Sequence, residues 1–312
     1  MNISRQISAK KDLQFNYSRK INRPNFFQII PFVDSSDILN KSVGNPDLRP
    51  EFTNLGELSL NMQYGKGNNL LITAYGKLTE NLITRYQYID TSLNPAGDTQ
   101  LVTTYGNANR SSTLGLEITG NNKVAKWWDL STNINLFNTV LTSGNLPGTS
   151  GREQFSWFIK LNNTIRIKGN YTIQVTGDYQ ARNLLPANQS GRGFGGGGMF
   201  FGGAGGFGQN QPTAQGYAKP FYGVDISVKK EFMKNNAASV TLQCSDIFRS
   251  RTYATHAESA YFTQDNERLR DPQVFRLSFN WRFGKMDFSL FKRKNMKGEM
   301  ENMQNMPGMM GN

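Results

Sequence analysis

Alternation with a period of two, repeated in one segment after another, limits this chain to strands that present two unlike faces. In Leu58-Ser59-Leu60-Asn61-Met62-Gln63-Tyr64 every second residue is apolar. Trp157-Phe158-Ile159-Lys160-Leu161 runs through an Asn pair into Thr164-Ile165-Arg166-Ile167-Lys168, and Tyr171-Thr172-Ile173-Gln174-Val175-Thr176 carries the pattern on to Gln180. Tyr222, Val224, Ile226 and Val228 alternate with Gly223, Asp225, Ser227 and Lys229. Phe275, Leu277, Phe279, Trp281 and Phe283 alternate with Arg276, Ser278, Asn280 and Arg282. Shorter runs surround Leu13, Leu116, Leu130 and Leu242, and one further strand, around Leu70 to Arg85, is required by the count although it alternates poorly. Ten strands are expected in all.

The links between strands decide which face is inside. Short links are expected at Lys66-Gly67-Asn68-Asn69, near Lys123 to Lys126, at Lys168-Gly169-Asn170 and at Lys234-Asn235-Asn236; long ones over 87–112, 143–154, 186–216 and 254–273. Short turns on one rim and long loops on the other describe an outer-membrane barrel, with its apolar face toward lipid. A Greek-key sandwich has no reason to alternate so strictly. The other face carries Asn, Thr, Gln, Ser, Lys, Arg and Asp, which suits a wet lumen. Aromatic residues gather near strand ends: Trp127, Trp128, Tyr171 and Phe232 by the short turns, and Tyr86, Phe155 and Tyr179 toward the long loops. Such rings sit well at a lipid–water boundary. In hydrocarbon every backbone polar group needs a protein partner, so the strands either close on themselves or form one segment of a larger barrel. The expected fold class is all-β, an antiparallel transmembrane β-barrel.

Composition agrees. Hydrophobic residues make up 37% and the mean hydropathy is -0.54, with no run near the ~20 apolar residues of a spanning helix. The net charge of +12 is read as lysines and arginines solvating loops and rims rather than as a nucleic-acid surface. A basic lumen is the further option, favouring anionic solutes or lipopolysaccharide phosphates. The single cysteine, Cys244, excludes a disulfide within the chain and reads as a small wall residue. The single histidine, His256, is expected in a loop with no acid partner, and no catalytic residue, cofactor or metal site is expected. Residues Met1 to Lys10 lack the apolar core of a signal peptide.

Gly191 to Gly208 is low-complexity, but no helix-forming stretch and no Gly-Lys-Ser/Thr ending follows, so a phosphate-cradling role fails. A flexible Gly-rich extracellular loop over 186–216 is the better reading. In the tail, Met296, Met300, Met303, Met306, Met309 and Met310 offer soft thioethers. Disorder is favoured there over a copper(I) site. The expected division is a barrel segment over 1–284 and a disordered Met-rich tail over 285–312.

Three stretches resemble a known family: Tyr17-Ser18-Arg19-Lys20-Ile21-Asn22-Arg23-Pro24, then Ile30-Pro31-Phe32-Val33-Asp34, then Gly44-Asn45-Pro46-Asp47-Leu48-Arg49-Pro50-Glu51. With Asp246-Ile247-Phe248 and the closing Trp281-Arg282-Phe283-Gly284, they are similar to the barrel of TonB-dependent receptors, most of all the outer-membrane β-barrel family of Bacteroidetes-type bacteria. The resemblance implies about ten C-terminal strands of a barrel of about 22, with a plug, a TonB box and a signal peptide in the complete protein. Asn2 to Ala9 is then the lower end of an eleventh strand, and Met1 lies partway through a longer receptor. The Gly44–Glu51 loop is read as structural, with Pro46 and Pro50 fixing φ and Gly44-Asn45 permitting a tight turn. The implied function is uptake of a scarce solute across the outer membrane, with outer-membrane lipid, the TonB system and an unknown small solute as partners and no nucleic acid. Candidate ligand contacts are Arg85, Tyr86, Asp178, Arg182 and Arg276. The alternatives are a self-standing ten-stranded passive pore or surface-binding barrel and, with the least support, an outer-membrane hydrolase.

Overall fold

In the computed structural model the described residues are 1–34, 40–90, 100–142, 145–146, 151–185, 216–259, 261–269 and 273–283. The readings of a Gly-rich loop up to residue 215 and of a tail over 285–312 lie outside the described residues. A hairpin of β1 (Asn2–Ser8) and β2 (Lys11–Asn22) comes first. A four-residue helix, α1 (Phe26–Ile29), leads to the short strands β3 (Val33–Asp34) and β4 (Asn40–Val43). The long strands follow: β5 (Glu51–Tyr64), β6 (Asn68–Asp90), β7 (Gln100–Ala125), β8 (Trp128–Thr142), β9 (Arg152–Ile167) and β10 (Tyr171–Gln180). Then come β11 (Asn183–Leu185), β12 (Gly216–Ala218), β13 (Phe221–Phe232), β14 (Ala238–Cys244), β15 (Thr252–Glu258), β16 (Thr263–Leu269) and β17 (Phe275–Trp281).

Eleven of these strands form one antiparallel meander in the order β1-β2-β5-β6-β7-β8-β9-β10-β13-β14-β17. They are the ten strands expected from alternation, with Asn2–Ser8 as the eleventh. The pairing puts like residues side by side across the wall. Ile3, Phe15, Leu58, Ala74, Leu116, Leu136 and Trp157 lie in register on one face; Ser4, Gln14, Ser59, Thr73, Glu117 and Asn135 lie one residue away on the other. The burial pattern is inside out. Leu114 and Leu277 are each 73% exposed, while Thr113 and Thr139 are buried with their hydroxyls 3.2 Å apart. A soluble protein would leave that much apolar surface facing water; in lipid the outer face is at home. The inner face is knitted by hydroxyls and amides, with Ser59 and Thr73 at 2.9 Å and Asn133 donating to Glu117 at 2.9 Å. Tyr75 lies flat across β7, donating its hydroxyl to Asn135 at 3.1 Å. Its ring occupies the space of a Cβ at Gly115, which would meet the Tyr75 Cε1 at 2.7 Å.

A strand crosses the hydrocarbon in ~9–11 residues, yet β6 has 23 and β7 has 26. Pairing with β5 stops at Glu80, and beyond it the β6–β7 hairpin leaves the wall and continues as far as Asp90 and Gln100. The expected loop over 87–112 is therefore strand for most of its length. At Asn81 the backbone turns to a φ of 53°, yet the β6–β7 register carries on unchanged from Glu80–Arg110 to Leu82–Ala108. Past that point β4 pairs in parallel with the edge that β7 has left free, with Thr104 donating to the Val43 carbonyl at 2.9 Å. With both faces covered, neighbours such as Leu82 and Ile83 are both buried. Leu82, Ala108 and Leu141, with Leu146 against them, form a small apolar core there. This accounts for the poor alternation of Leu70 to Arg85: the lower half carries Leu71 and Tyr75 on the same face as Thr73, and in the upper half neighbouring residues are buried together. The expected loop over 254–273 also contains structure, the β15–β16 hairpin, which joins β12 and β11 in a separate four-stranded sheet.

Gly44–Glu51 is bolted to this projecting hairpin. Asn107 accepts from the Arg49 N–H at 2.8 Å and donates to the Arg49 carbonyl at 2.9 Å and to the Asn81 carbonyl at 2.8 Å. Asn45 donates to the Tyr105 carbonyl at 2.9 Å, and Glu51 accepts from Asn22 at 2.8 Å. Gly44 serves close approach rather than turning: a Cβ there would meet the Ile30 N at 2.9 Å and the Gln28 carbonyl at 3.0 Å. The structural reading of the loop holds, with that change in the reason for its glycine.

Candidate functional site

Two polar clusters are placed by the wall and by the sheet beside its long-loop rim. The first lies on the inner face. Asp178 stands opposite Gly223, and Asp225 stands opposite Thr176, so both carboxylates project from one side of the β10–β13 pair. Arg251, between β14 and β15, reaches back over them. Its Nη2 donates to Asp178 and its Nη1 lies 3.1 Å from Asp225 Oδ1. Asp246 shapes the segment: it accepts from the Ser250 and Arg251 N–H groups, each at 3.0 Å, while its own N–H donates to Asp225 at 2.7 Å. The guanidinium lies against Gly223, where a Cβ would meet its Cζ at 2.6 Å. Asp178 is buried, and a buried carboxylate holds its charge only when paired. The Asp246-Ile247-Phe248 motif thus fastens the start of a rim connection to the wall.

The second cluster is on the β11–β12–β15–β16 sheet. The Arg182 guanidinium lies 4.2 Å from the centre of the Tyr217 ring, and that ring is 5.0 Å from His256. His256 Nδ1 is 3.1 Å from Asp265 Oδ1, and the Lys219 ammonium lies 2.8 Å from the same oxygen. The expectation that His256 sits in a loop without an acid partner is corrected: it lies on β15 with Asp265 directly across on β16. Hydrogen bonding from Lys219, and then from His256, holds the Asp265 carboxyl below its ordinary range; the bond to Asp265 raises Lys219. The result is a row of cation, ring, imidazole, carboxylate and ammonium.

The five residues singled out from the sequence do not converge. Arg85 and Tyr86 lie on the projecting part of β6, four strands along from β10. Arg85 stacks at 5.7 Å over Tyr105, and its Nε is buried without a partner. Tyr86, read as part of an outer belt, is half-buried with its ring beside Gly106. Trp127, Tyr171 and Phe155 do sit exposed at strand ends. Asp178 is occupied by Arg251, Arg182 belongs to the rim row, and Arg276 stands on β17 opposite Gln243. Sequence reasoning missed Arg251, Tyr217, Lys219 and Asp265. Asp225 was visible as a carboxylate in an alternating strand, but no local pattern marks the residues that meet only across strands.

Among the described residues no helix is long and apolar enough to cross a membrane, and no group of three or more His, Cys, Asp or Glu is placed to hold a metal ion. No curated protein matches the chain. Among solved structures, the siderophore receptor PirA from Pseudomonas aeruginosa superposes with a TM-score of 0.55 at 15% identity, over 91% of this chain and 41% of that one. A mutant of the ferric enterobactin receptor PfeA from the same organism, in complex with enterobactin, gives 0.54 at 15% identity, over 80% and 34%. The copper transporter OprC gives 0.54 at 10%, over 90% and 38%. This chain therefore spans about two fifths, or less, of the length of these proteins, and shares their fold. The model of the outer membrane protein beta-barrel family matches residues 1–281, and this chain belongs to that family.

Proposed function

We propose that the eleven-stranded wall is the C-terminal portion of a TonB-dependent receptor barrel that takes a scarce solute across the outer membrane. The observation that carries the reading is the direction of the two free edges. In an antiparallel meander of eleven strands the first and last, β1 and β17, run the same way. Bacterial outer-membrane barrels are antiparallel throughout and even in number, so closure calls for an odd number of further strands. Eleven more would make the 22 of a plugged transporter. A second copy does not supply them. Pairing β1 with its own copy antiparallel turns that copy upside down in the membrane, and pairing it with the copy's β17 is parallel.

The self-standing ten-stranded pore is less well supported. Its closing strands would be β2 and β17, but β1 already occupies the outer edge of β2 from Asn2–Asn16 to Ser8–Lys11. For ligand contact, Arg182 with Tyr217 and His256 is the best placed of the candidates, because Arg182 packs over a ring of the rim sheet. Arg85 and Tyr86 on the projecting hairpin come next, and Arg276 after them. Asp178 is better regarded as the partner of Arg251. The test is to delete the gene in its host and measure accumulation of iron chelates, cobalamin, copper, glycans and peptides at limiting supply. Loss of one solute class, restored by the wild-type gene and weakened by Arg182→Ala, is expected. Unchanged accumulation of every class, together with ion conductance by the purified chain alone, would overturn the reading in favour of the pore.

A further inference from the structure

The charge of +12 is concentrated at the short-turn rim. Five short turns join the wall strands, at residues 9–10, 65–67, 126–127, 168–170 and 233–237. Within three residues of them stand nine basic and three acidic side chains, an excess of six and half the net charge of the whole chain. Two of the three acids are already neutralised: Asp129 pairs with Arg166 at 2.6 Å and Glu231 with Lys229 at 2.6 Å. Every turn carries an exposed lysine, namely Lys10, Lys66, Lys126, Lys168 and Lys234, and none of the five is in an ion pair among the described residues.

Apolar rings lie just inside this row. Tyr64, Trp127, Tyr171 and Trp281 are all exposed near the same rim. Lys230, in register with Tyr171, lies 3.9 Å from its ring centre and donates to the Gly169 carbonyl at the adjoining turn. Rings at the lipid–water boundary with ammonium groups one step outside match the depth profile of a phospholipid leaflet, acyl chain below and phosphate above. An acidic protein surface would not require the aromatic row.

We propose that the lysine-tipped rim binds the phosphodiester headgroups of anionic phospholipid in the periplasmic leaflet, and so fixes the depth of the barrel in the membrane. This rests on the outer-membrane family and on short turns being periplasmic, not on solute uptake, so the two readings fail separately. The five lysines act as point charges, and the attraction weakens with salt.

The experiment takes the full chain, extracted from outer membranes into nonionic detergent, and counts retained lipid by native mass spectrometry. The probes are phosphatidylglycerol, phosphatidylcholine, inorganic phosphate and poly-glutamate. Wild type is expected to retain phosphatidylglycerol over phosphatidylcholine by at least about tenfold, a preference that 0.5 M salt reduces, given the size of lysine–anionic-lipid attraction. The variant with Lys10, Lys66, Lys126, Lys168 and Lys234 all changed to Gln loses the preference, and the corresponding five-Arg variant keeps it. If the five-Gln variant fails to reach wild-type strand content by circular dichroism, K126Q and K168Q, singly, read the same ratio. Equal retention of the two lipids by wild type, or an undiminished ratio in folded Gln variants, overturns the proposal. Poly-glutamate bound where phosphatidylglycerol is not would make the rim a protein-docking surface and also overturn it. Inorganic phosphate competing as well as the lipid would show a free-anion site, with the same consequence.

Discussion

The wall and the projecting structures beside it follow different rules. In the wall, one side of each strand meets lipid and the other meets water, so the identity of a residue fixes its face and a shift of one position inverts everything. Beyond Glu80 the β6–β7 hairpin is covered on both sides, and alternation carries no information: Leu82 and Ile83 are buried side by side, as are Val102, Thr103 and Thr104. Position there is set by individual bonds, from Asn107 to Arg49 and from Thr104 to Val43, much as Arg251 ties the segment after Cys244 to the wall aspartates. Tolerance to substitution should differ accordingly. A polar-for-polar change on the inner wall is absorbed by its neighbours, whereas loss of one tie at the rim leaves named groups without partners.

The largest effect is expected where the two regions are joined. Arg251→Ala takes the guanidinium from Asp178 and Asp225 and leaves Asp178 the charge of Lys160 across the strand, so the cost is bounded by that of breaking a fully buried pair from one side, about 3–5 kcal/mol. The wall itself should survive, because its ladders do not involve Arg251. Heat-modifiable gel migration should show a lower transition temperature, and proteolysis should reach the segment after Cys244 first. If the variant resists both as wild type does, the cluster is no fastening. Within the wall, Gly115→Val drives a side chain into the Tyr75 ring and should cost about 1–3 kcal/mol by overpacking. Gly177, where nothing lies within 4 Å of a built Cβ, is the control; Ala there should change stability by less than about 0.5 kcal/mol. Equal effects at the two glycines would mean that the flat-lying tyrosine is not a joint.

The same division explains what could be read in advance. Strand number, short turns and apolar face were legible because lipid imposes a period-two rule on every wall strand, from Phe15 to Leu277. The strand at Leu70–Arg85 was legible only by count, because Leu71 and Tyr75 put apolar side chains on the same face as Thr73 and the upper half is buried on both faces. Residues 87–112 looked like a loop because Thr103, Thr104, Gly106 and Asn107 are small or polar, yet they pair across to Gln87, Tyr86, Thr84 and Ile83. The rim row was illegible for a different reason. Arg182, Tyr217, His256 and Asp265 come from four segments, and only the register of β12, β15 and β16 brings them together. Asn107→Ala sharpens the point at smaller scale. It removes three bonds to the Gly44–Glu51 loop and its neighbour and should cost about 1–2 kcal/mol, read as faster amide exchange at Arg49 with no change at Leu58. Loosening of the wall at Leu58 by the same amount would show that the loop and wall form one cooperative unit after all.

The smallest expected effect is the pH response of the rim sheet, and its sign follows from its two shifted groups. Asp265 titrates below its ordinary 3.8, chiefly because Lys219 donates to it. A carboxyl depressed by folding contributes stability above its unfolded value and loses it as the pH falls through the folded one. Lys219 titrates above its ordinary 10.5; an ammonium raised by folding contributes below its unfolded value and loses that as the pH rises through the folded one. The sheet should therefore be tightest between pH 3.8 and 10.5, and the wall indifferent over that range. Both groups are exposed, so the effect should shrink as salt is added. Amide protection of Tyr217 and His256, corrected for intrinsic exchange, should fall below pH 3.8 while that of Leu58 and Leu136 holds. In Asp265→Asn that acid-side change should disappear, and the alkaline one with it, since one carboxylate serves both neighbours. An unchanged acid-side loss in Asp265→Asn would place its origin in another carboxyl and remove Asp265 from the row as its ionic centre.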